Sequence, residues 1–358
     1  MTAASQSRPI AGPPNDRAIA IWLLVCCAMI FAMAVIGAVT RLTESGLSIM
    51  EWAPLRGILP PLGEAEWQRL FALYREIPEY KEVNAGMSLA DFKGIFWWEY
   101  IHRLWGRLIG LVFLLPFLWF LLRGKIRTGL APHLLAMFLL GGLQGLLGWV
   151  MVASGFAERS DVSQYRLTAH LLAALAIYSY IFWVASGLLL KEVPGAPMAR
   201  RGGLRGGLIA LLLLLTLAIA SGGFVAGLNA GLIYNSFPLM DGALVPPDYA
   251  QLSPWVLNLF ENVAAVQFNH RALAVTVFAS VLALWAWSRH LAAPPRLWQA
   301  MTILLGLAVL QVGLGISTLL LVVPLPLAVL HQAGAIALLT ACLWCLRVVT
   351  RLKEPLDG

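Results

Sequence analysis

The amino-acid sequence predicts an all-α integral membrane protein, with eight transmembrane helices arranged as two parallel-repeat four-helix bundles. Three observations carry this expectation: an apolar composition, eight long apolar runs, and a chain that repeats itself once. Of 358 residues, 60% are hydrophobic and 12% are charged, whereas a soluble domain carries about a quarter charged residues. Such a chain cannot cover a soluble surface, which excludes a water-soluble enzyme, a disordered chain and a secreted disulfide scaffold. A transmembrane barrel is excluded too, because its short alternating strands do not produce long continuous apolar runs.

A helix needs about 20 mostly apolar residues to cross a bilayer. The runs 19–40, 96–122, 131–152, 165–190, 206–228, 263–286, 298–321 and 326–347 meet that length. Ahead of the first lies a polar segment, Met1 to Arg17, with Pro9, Pro13 and Pro14. No small-residue cleavage site follows the run, so it reads as a retained span. The net charge of +7 would suggest nucleic acid only if it formed a patch or groove. Instead the basic residues fall in short clusters between spans, so no nucleic-acid partner is expected.

One set of connections holds Arg123, Lys125 and Arg127; then Lys191, Arg200, Arg201 and Arg205; then Arg289 and Arg296. The termini add Arg8, Arg17, Arg347, Arg351 and Lys353, opposed by the acids Asp16, Glu192, Glu354 and Asp357. The opposite connection at 229–262 has no Lys or Arg at all. Positive charge stays inside, so both termini are expected in the cytoplasm. The long outer connection 41–95 carries structure of its own. Trp67, Leu70, Phe71 and Tyr74 fall at i, i+3, i+4 and i+7 and form one apolar helical face, which Pro78 interrupts. That face is expected to lie on the membrane surface as a lid; a docking face for a partner or lipophilic substrate is the sharper alternative. Phe96, Trp97, Trp98 and Tyr100 mark the interface where the second span enters.

The repeat pairs spans 1–4 with spans 5–8, giving halves 1–195 and 196–358. Glu99-Tyr-Ile-His-Arg103 returns as Gln267-Phe-Asn-His-Arg271, and Leu143-Gln144 with Gly148 returns as Leu310-Gln311 with Gly315. Gly46-Leu47 before Pro54-Leu55 and Pro60-Pro61 returns as Gly231-Leu232 before Pro238-Leu239 and Pro246-Pro247. Four spans separate the copies, so both halves share one orientation.

Of six histidines, His102, His170, His270 and His331 lie inside spans, each five to seven residues from the outer end of an even-numbered one. His133 and His290 sit at cytoplasmic helix ends and read as interface residues. Ionisable side chains within a span are costly and mark function by default. A bond to a neighbouring helix accounts for one such histidine, but hardly for four at one depth in matched repeat positions. Axial ligation fits that pattern: a haem iron takes one imidazole from each of two facing helices. Zinc would ask for three or four converging ligands. Arg103 and Arg271 follow the ligands, with Arg107 one turn deeper, and a guanidinium suits a haem propionate; snorkelling toward head groups is the plainer alternative.

The halves differ at one position. Glu99 lies one turn before His102 on the same helix face, and the second half has Gln267 there. Either Glu99 pairs with Arg103 or Arg107, or the first half performs chemistry that the second does not. The four cysteines, Cys26, Cys27, Cys342 and Cys345, lie within spans and read as small apolar fillers. None falls in an outer loop.

At these residues the sequence resembles the haem A synthase family, membrane enzymes that convert haem O to haem A for cytochrome oxidases. The first half matches in Glu99-Tyr-Ile-His-Arg-Leu-Trp-Gly-Arg107, Gly148-Trp-Val-Met-Val-Ala-Ser-Gly155 and Tyr165-Arg-Leu-Thr-Ala-His-Leu171. The second matches in Asn235-Ser-Phe-Pro-Leu-Met240, Asn262-Val-Ala-Ala-Val-Gln-Phe-Asn-His-Arg271 and Val323-Pro-Leu-Pro-Leu-Ala-Val-Leu-His-Gln-Ala-Gly334. The resemblance implies an oxidoreductase in which His102 and His170 take the substrate haem, with Arg103 and Arg107 beside it and Glu99 in the reaction. It implies that His270 and His331, with Arg271, hold a bis-histidine haem b cofactor. Some members carry a cysteine pair in the first outer loop. This chain lacks it and resembles the cysteine-free branch of proteobacteria and mitochondria. The same resemblance implies an inner-membrane enzyme with its haem sites toward the periplasm. Its expected partners are haem O, haem O synthase as the donor, cytochrome oxidase assembly factors, membrane lipid, and an electron donor or acceptor that the sequence does not identify. A homo-oligomer is left open.

The reaction that the resemblance implies oxidises the C8 methyl of haem O by two successive hydroxylations, whose hydrate loses water to give the formyl group. With both histidines on iron there is no open site for dioxygen. Electron removal from the macrocycle followed by water attack is therefore expected, with Glu99 stabilising positive charge or taking the proton. An iron-oxo route with one histidine displaced competes with it. Two other classes stay in view: a di-haem electron-transfer cytochrome and a transporter.

Overall fold

The computed structural model describes residues 15–51, 56–153, 162–190 and 200–352. The leading prolines and Arg8, the pair Pro54-Leu55, the boundary charges Lys191 and Glu192, and the C-terminal Lys353, Glu354 and Asp357 lie outside them. So does the junction at 195 and 196 between the two expected halves.

The described residues are all-helical apart from loops, short 3₁₀ turns and one isolated bridge, Met240 to Ala243. Among the described residues, eight helices are long and apolar enough to cross a bilayer: α1 (Asp16–Leu42), α4 (Leu89–Leu122), α5 (Ala131–Ala153), α6 (Gln164–Leu189), α7 (Arg201–Gly227), α8 (Val263–His290), α9 (Pro295–Leu320) and α10 (Leu325–Thr350). The chain is a multi-pass membrane protein. Two short helices, α2 (Glu64–Tyr74) and α3 (Pro78–Glu82), fill the first long connection, and Pro78 opens α3 where a missing N–H costs nothing.

The second span departs from its expected start at 96. Ser88 caps α4 in a reciprocal box: its hydroxyl accepts from the Asp91 amide at 3.2 Å, and the Asp91 carboxylate accepts from the Ser88 amide at 3.2 Å. The resulting 34-residue helix is about 51 Å long at 1.5 Å per residue, well beyond the ~30 Å hydrocarbon layer. His102 therefore sits thirteen residues (102 minus 89) from its helix start, while the other three histidines keep the expected five to seven. The surplus turns have a use. Phe92, Phe96 and Tyr100 of α4 form one buried cluster with Trp67, Leu70 and Tyr74 of α2. The apolar face expected to rest on the membrane is covered by α4 instead, and Tyr74 is fully buried, its hydroxyl donating to Glu79 at 2.8 Å.

The larger core lies among α1, α6, α7 and α10, which pack against one another; α4 and α5 flank them on one side and α8 and α9 on the other. Tyr178 of α6 and Thr340 of α10 share a 2.7 Å hydroxyl contact inside it. All four cysteines are free and buried, as fillers would be. Arg347, expected among the terminal topology charges, is instead inside α10. It is buried, with its guanidinium over the Trp183 ring and donating to the Trp183 carbonyl. The gain is a cation over a π face, which keeps a buried charge partnered.

Candidate functional site

Each of the four intramembrane histidines rests on a glycine of the neighbouring helix. His102 of α4 meets Gly37 of α1, His170 of α6 meets Gly148 of α5, His270 of α8 meets Gly222 of α7, and His331 of α10 meets Gly315 of α9. A methyl group at Gly148 or Gly315 would lie 2.9 Å from the facing imidazole carbon, and at Gly222 3.1 Å. Only glycine lets a ring approach a helix backbone so closely. The sequence showed two of these glycines, Gly148 and Gly315, as repeat marks without a purpose. Gly37 and Gly222 went unnoticed, although each lies in the corresponding first helix of its half.

The rings are held as well as seated. Gln144, one turn before Gly148, donates from Nε2 to His170 Nδ1 at 3.1 Å and to the His170 carbonyl at 2.9 Å. Gln311, one turn before Gly315, does the same to His331 at 3.1 Å and 2.9 Å. In both glutamines the side-chain oxygen is buried without a partner. His270 Nδ1 meets the Ser221 hydroxyl at 2.8 Å. Where Ser221 precedes Gly222, Ile36 precedes Gly37, and the His102 ring makes no hydrogen bond among the described residues.

The second pair is close: the His270 and His331 ring centroids are 6.3 Å apart with planes 87° to each other. Two metal–imidazole bonds of about 2.0–2.1 Å plus two ring radii of roughly 1.1 Å sum to about 6.3 Å, so the separation matches one iron between two imidazoles. With Nδ1 engaged on both rings, Nε2 is the nitrogen left for a metal. His102 and His170 lie within electrostatic reach of each other. Among the described residues no three metal-binding side chains converge. The residues present fit a haem at each pair.

The charged groups have a different placement from the one expected. Glu99 is 2% exposed. It accepts from Ser48 Oγ and the Ile49 amide, both at 2.7 Å, and from Arg103 Nε at 2.9 Å. Arg103 also donates to the Ile49 carbonyl at 2.7 Å and the Glu51 carbonyl at 3.2 Å. The plainer sequence reading, pairing of Glu99 with Arg103, is therefore present. The second half repeats the arrangement with a neutral side chain. Gln267 donates to the Ala230 and Ile233 carbonyls at 2.7 Å and 2.6 Å, and accepts from Arg271, which also donates to the Ser236 and Tyr234 carbonyls. The Glu/Gln and Arg of each motif thus clamp the preceding loop onto the helix that carries the histidine. Arg271 Nε remains buried without a partner, and Arg107 lies one turn further in, beside Arg103 and Tyr100. A separate outer cavity of about 270 Å³, between Arg41, Glu79 and Asn229, includes none of the histidines.

Other residues of the sequence blocks have structural work. Asn235 donates to the Leu319 carbonyl at the end of α9 at 2.9 Å, and Asn262 caps α8 by accepting from the Ala265 amide at 3.1 Å.

The COX15-CtaA family model, described as cytochrome oxidase assembly protein, matches residues 20–343. The chain is 54% identical to a protein named Heme A synthase from Nitrosospira multiformis, over 92% of each chain. It is 52% identical to a Heme A synthase from Rhodospirillum centenum, over 99% of this chain and 95% of that one. Against a Heme A synthase from Agrobacterium fabrum the identity is 48%, over 91% and 88%.

Proposed function

We propose, on the premise that this chain belongs to the COX15-CtaA family of cytochrome oxidase assembly proteins and Heme A synthases, how its residues share out the work. The activity is that of an oxidoreductase converting haem O to haem A. In this reading the conversion oxidises the C8 methyl by two successive hydroxylations. His102 and His170 hold the substrate haem O, and His270 and His331 hold a bis-histidine haem b. The observation that carries this is the seating of every one of these imidazoles on a glycine of a neighbouring helix, through Cε1 for His170, His270 and His331 and through Nε2 for His102.

Haem b supplies one-electron redox chemistry when bound. The protein's own groups bind and orient. The glycine seats let the imidazoles approach their neighbouring helices, and the second pair stands at the spacing an iron requires. Arg271 Nε offers a buried donor to a propionate in the second site, and Arg107 with Arg103 serves the first. Glu99 acts through its charge: Ser48, Ile49 and Arg103 fix the carboxylate one turn from His102. There it favours positive charge on the substrate, in a site where water does not screen it. Gln267 gives the second pair no such charge. The two halves 1–195 and 196–358 form parallel bundles in an inner membrane, with termini cytoplasmic and haem sites periplasmic. Haem O synthase delivers the substrate, and assembly factors of the oxidase receive the product.

Haem extraction and chromatography of single histidine-to-alanine variants tests the assignment. His102→Ala and His170→Ala are expected to lose haems O and A while retaining haem B. His270→Ala and His331→Ala are expected to lose haem B. The reverse pattern, or haem B alone in the unaltered protein, sinks the reading.

A further inference from the structure

Gln144 and Gln311 belong neither to the ligands nor to the charged clamp, yet they occupy matched places in the two halves. Each lies four residues before the glycine that seats a histidine, and each meets Nδ1 and the carbonyl of that histidine, Gln144 reaching His170 Nε2 as well at a longer 3.5 Å. Each also keeps a buried oxygen without a partner. A buried amide oxygen left unpaired forfeits its hydration without compensation, so having two of them in matched positions needs a reason.

The reason lies in the imidazole. A ring that gives Nε2 to iron must carry its remaining proton on Nδ1, and that N–H then needs an acceptor. In the arrangement here the amide nitrogen faces Nδ1, which suits a ring protonated on Nε2. Rotating the amide about its terminal bond presents the unpaired oxygen to an Nδ1–H and gives up the bond to the histidine carbonyl in exchange. A glutamine carries both partners on one group and so serves the ring in either tautomer. An aliphatic residue serves neither, and a carboxylate would bring charge into the span. Ser221, which can donate or accept, does the same for His270. His102 makes no hydrogen bond among the described residues.

We propose that Gln144 and Gln311 are positioning residues that set the tautomer and donor strength of His170 and His331 as haem ligands, by accepting Nδ1–H when iron is bound. This rests on the assignment of the two histidine pairs above. An Nδ1–H bonded to an acceptor pushes electron density to the iron-bound nitrogen and favours ferric iron.

The test uses the full-length haem-loaded protein in detergent, with redox titration and electron paramagnetic resonance of haem B. Gln311→Met fills the same space without an acceptor and is expected to raise the haem B midpoint potential and shift its ferric g values. Gln311→Glu keeps an acceptor oxygen and is expected to hold the potential at or below that of the unaltered protein. Gln144→Met is expected to leave haem B unchanged and alter only the spectrum of the first-half haem. If Gln311→Met sheds haem B, retention by Gln311→Glu still supports the role, and loss from both overturns it. An unmoved potential in Gln311→Met overturns it, as do equal shifts of one sign in Met and Glu, or a haem B shift in Gln144→Met. If His331→Ala itself retains haem B, the pair assignment has failed instead, which separates the two outcomes.

Discussion

Adding one methyl group to a glycine seat is expected to empty one haem site and spare the other. In Gly148→Ala the new carbon would stand 2.9 Å from His170 Cε1, and in Gly315→Ala 2.9 Å from His331 Cε1. Comfortable carbon–carbon contact is about 3.5–4.0 Å, so the ring must retreat by roughly 0.6–1.1 Å. A ligand constellation tolerates only about 0.5 Å, and such overpacking costs about 1–3 kcal/mol, which corresponds to roughly 5–150-fold in affinity. Controls lie on the same helices. Methyl groups at Gly145 of α5 and Gly313 of α9 would meet nothing within 4 Å, and alanine there gains up to about 1 kcal/mol of helix propensity. The assay is haem extraction with chromatography after purification in detergent. Gly148→Ala should lose haems O and A and keep B; Gly315→Ala should lose B; Gly145→Ala and Gly313→Ala should keep all. Full retention by both seat variants, or equal loss in the controls, would refute the idea that the glycines exist to seat the ligands. Gly37→Ala is expected to be milder, because its methyl would stand 3.2 Å from His102.

Two further outcomes follow from the charged groups. Glu99→Gln keeps the shape but sets an amide against Ser48 Oγ, the Ile49 amide and Arg103. It should cost about 1–3 kcal/mol, retain both haems and accumulate haem O over haem A, read by haem analysis beside a melting curve; an unchanged ratio of A to O removes Glu99 from the reaction. In the outer loop, hydrogen bonds from Arg69 hold the Glu51 carboxyl below its usual range. A depressed carboxylate adds stability above its unfolded pKa and loses it as pH falls through the folded one, below about pH 5. The pair is half exposed, 44% and 48%, so it is worth no more than about 1 kcal/mol. Proteolysis of the 41–95 connection should speed up on acidification, and Arg69→Met should flatten that dependence. A dependence that survives the substitution points to another group.

Much of the site was legible because its signals are local. A lone ionisable residue in an apolar run stands out wherever the run folds, so His102, His170, His270 and His331 stand out as candidates, with Glu99 and the arginines beside them. What those charges bond to was not legible, since Ser48, Ile49 and the loop carbonyls at Tyr234 and Ser236 reach them only through tertiary contact. The lid helix shows the same limit. The spacing of Trp67, Leu70 and Tyr74 specified an apolar face, and only the long α4, started by the Ser88 cap, decided that protein rather than lipid would cover it.

The membrane class, the number of spans and the candidate histidines are readable from the sequence, because the cost of placing polar groups in hydrocarbon is set residue by residue. Only tertiary structure shows which glycine each imidazole leans on, that amides meet Nδ1 of His170 and His331 and a hydroxyl meets that of His270, and that Glu99 and Gln267 fasten loops. Those are pairings between atoms on different helices, and one-dimensional spacing does not contain the rotation of one helix against the next. The repeat of Gln144 with Gly148 as Gln311 with Gly315 was visible in the chain; its meaning required seeing a histidine against both.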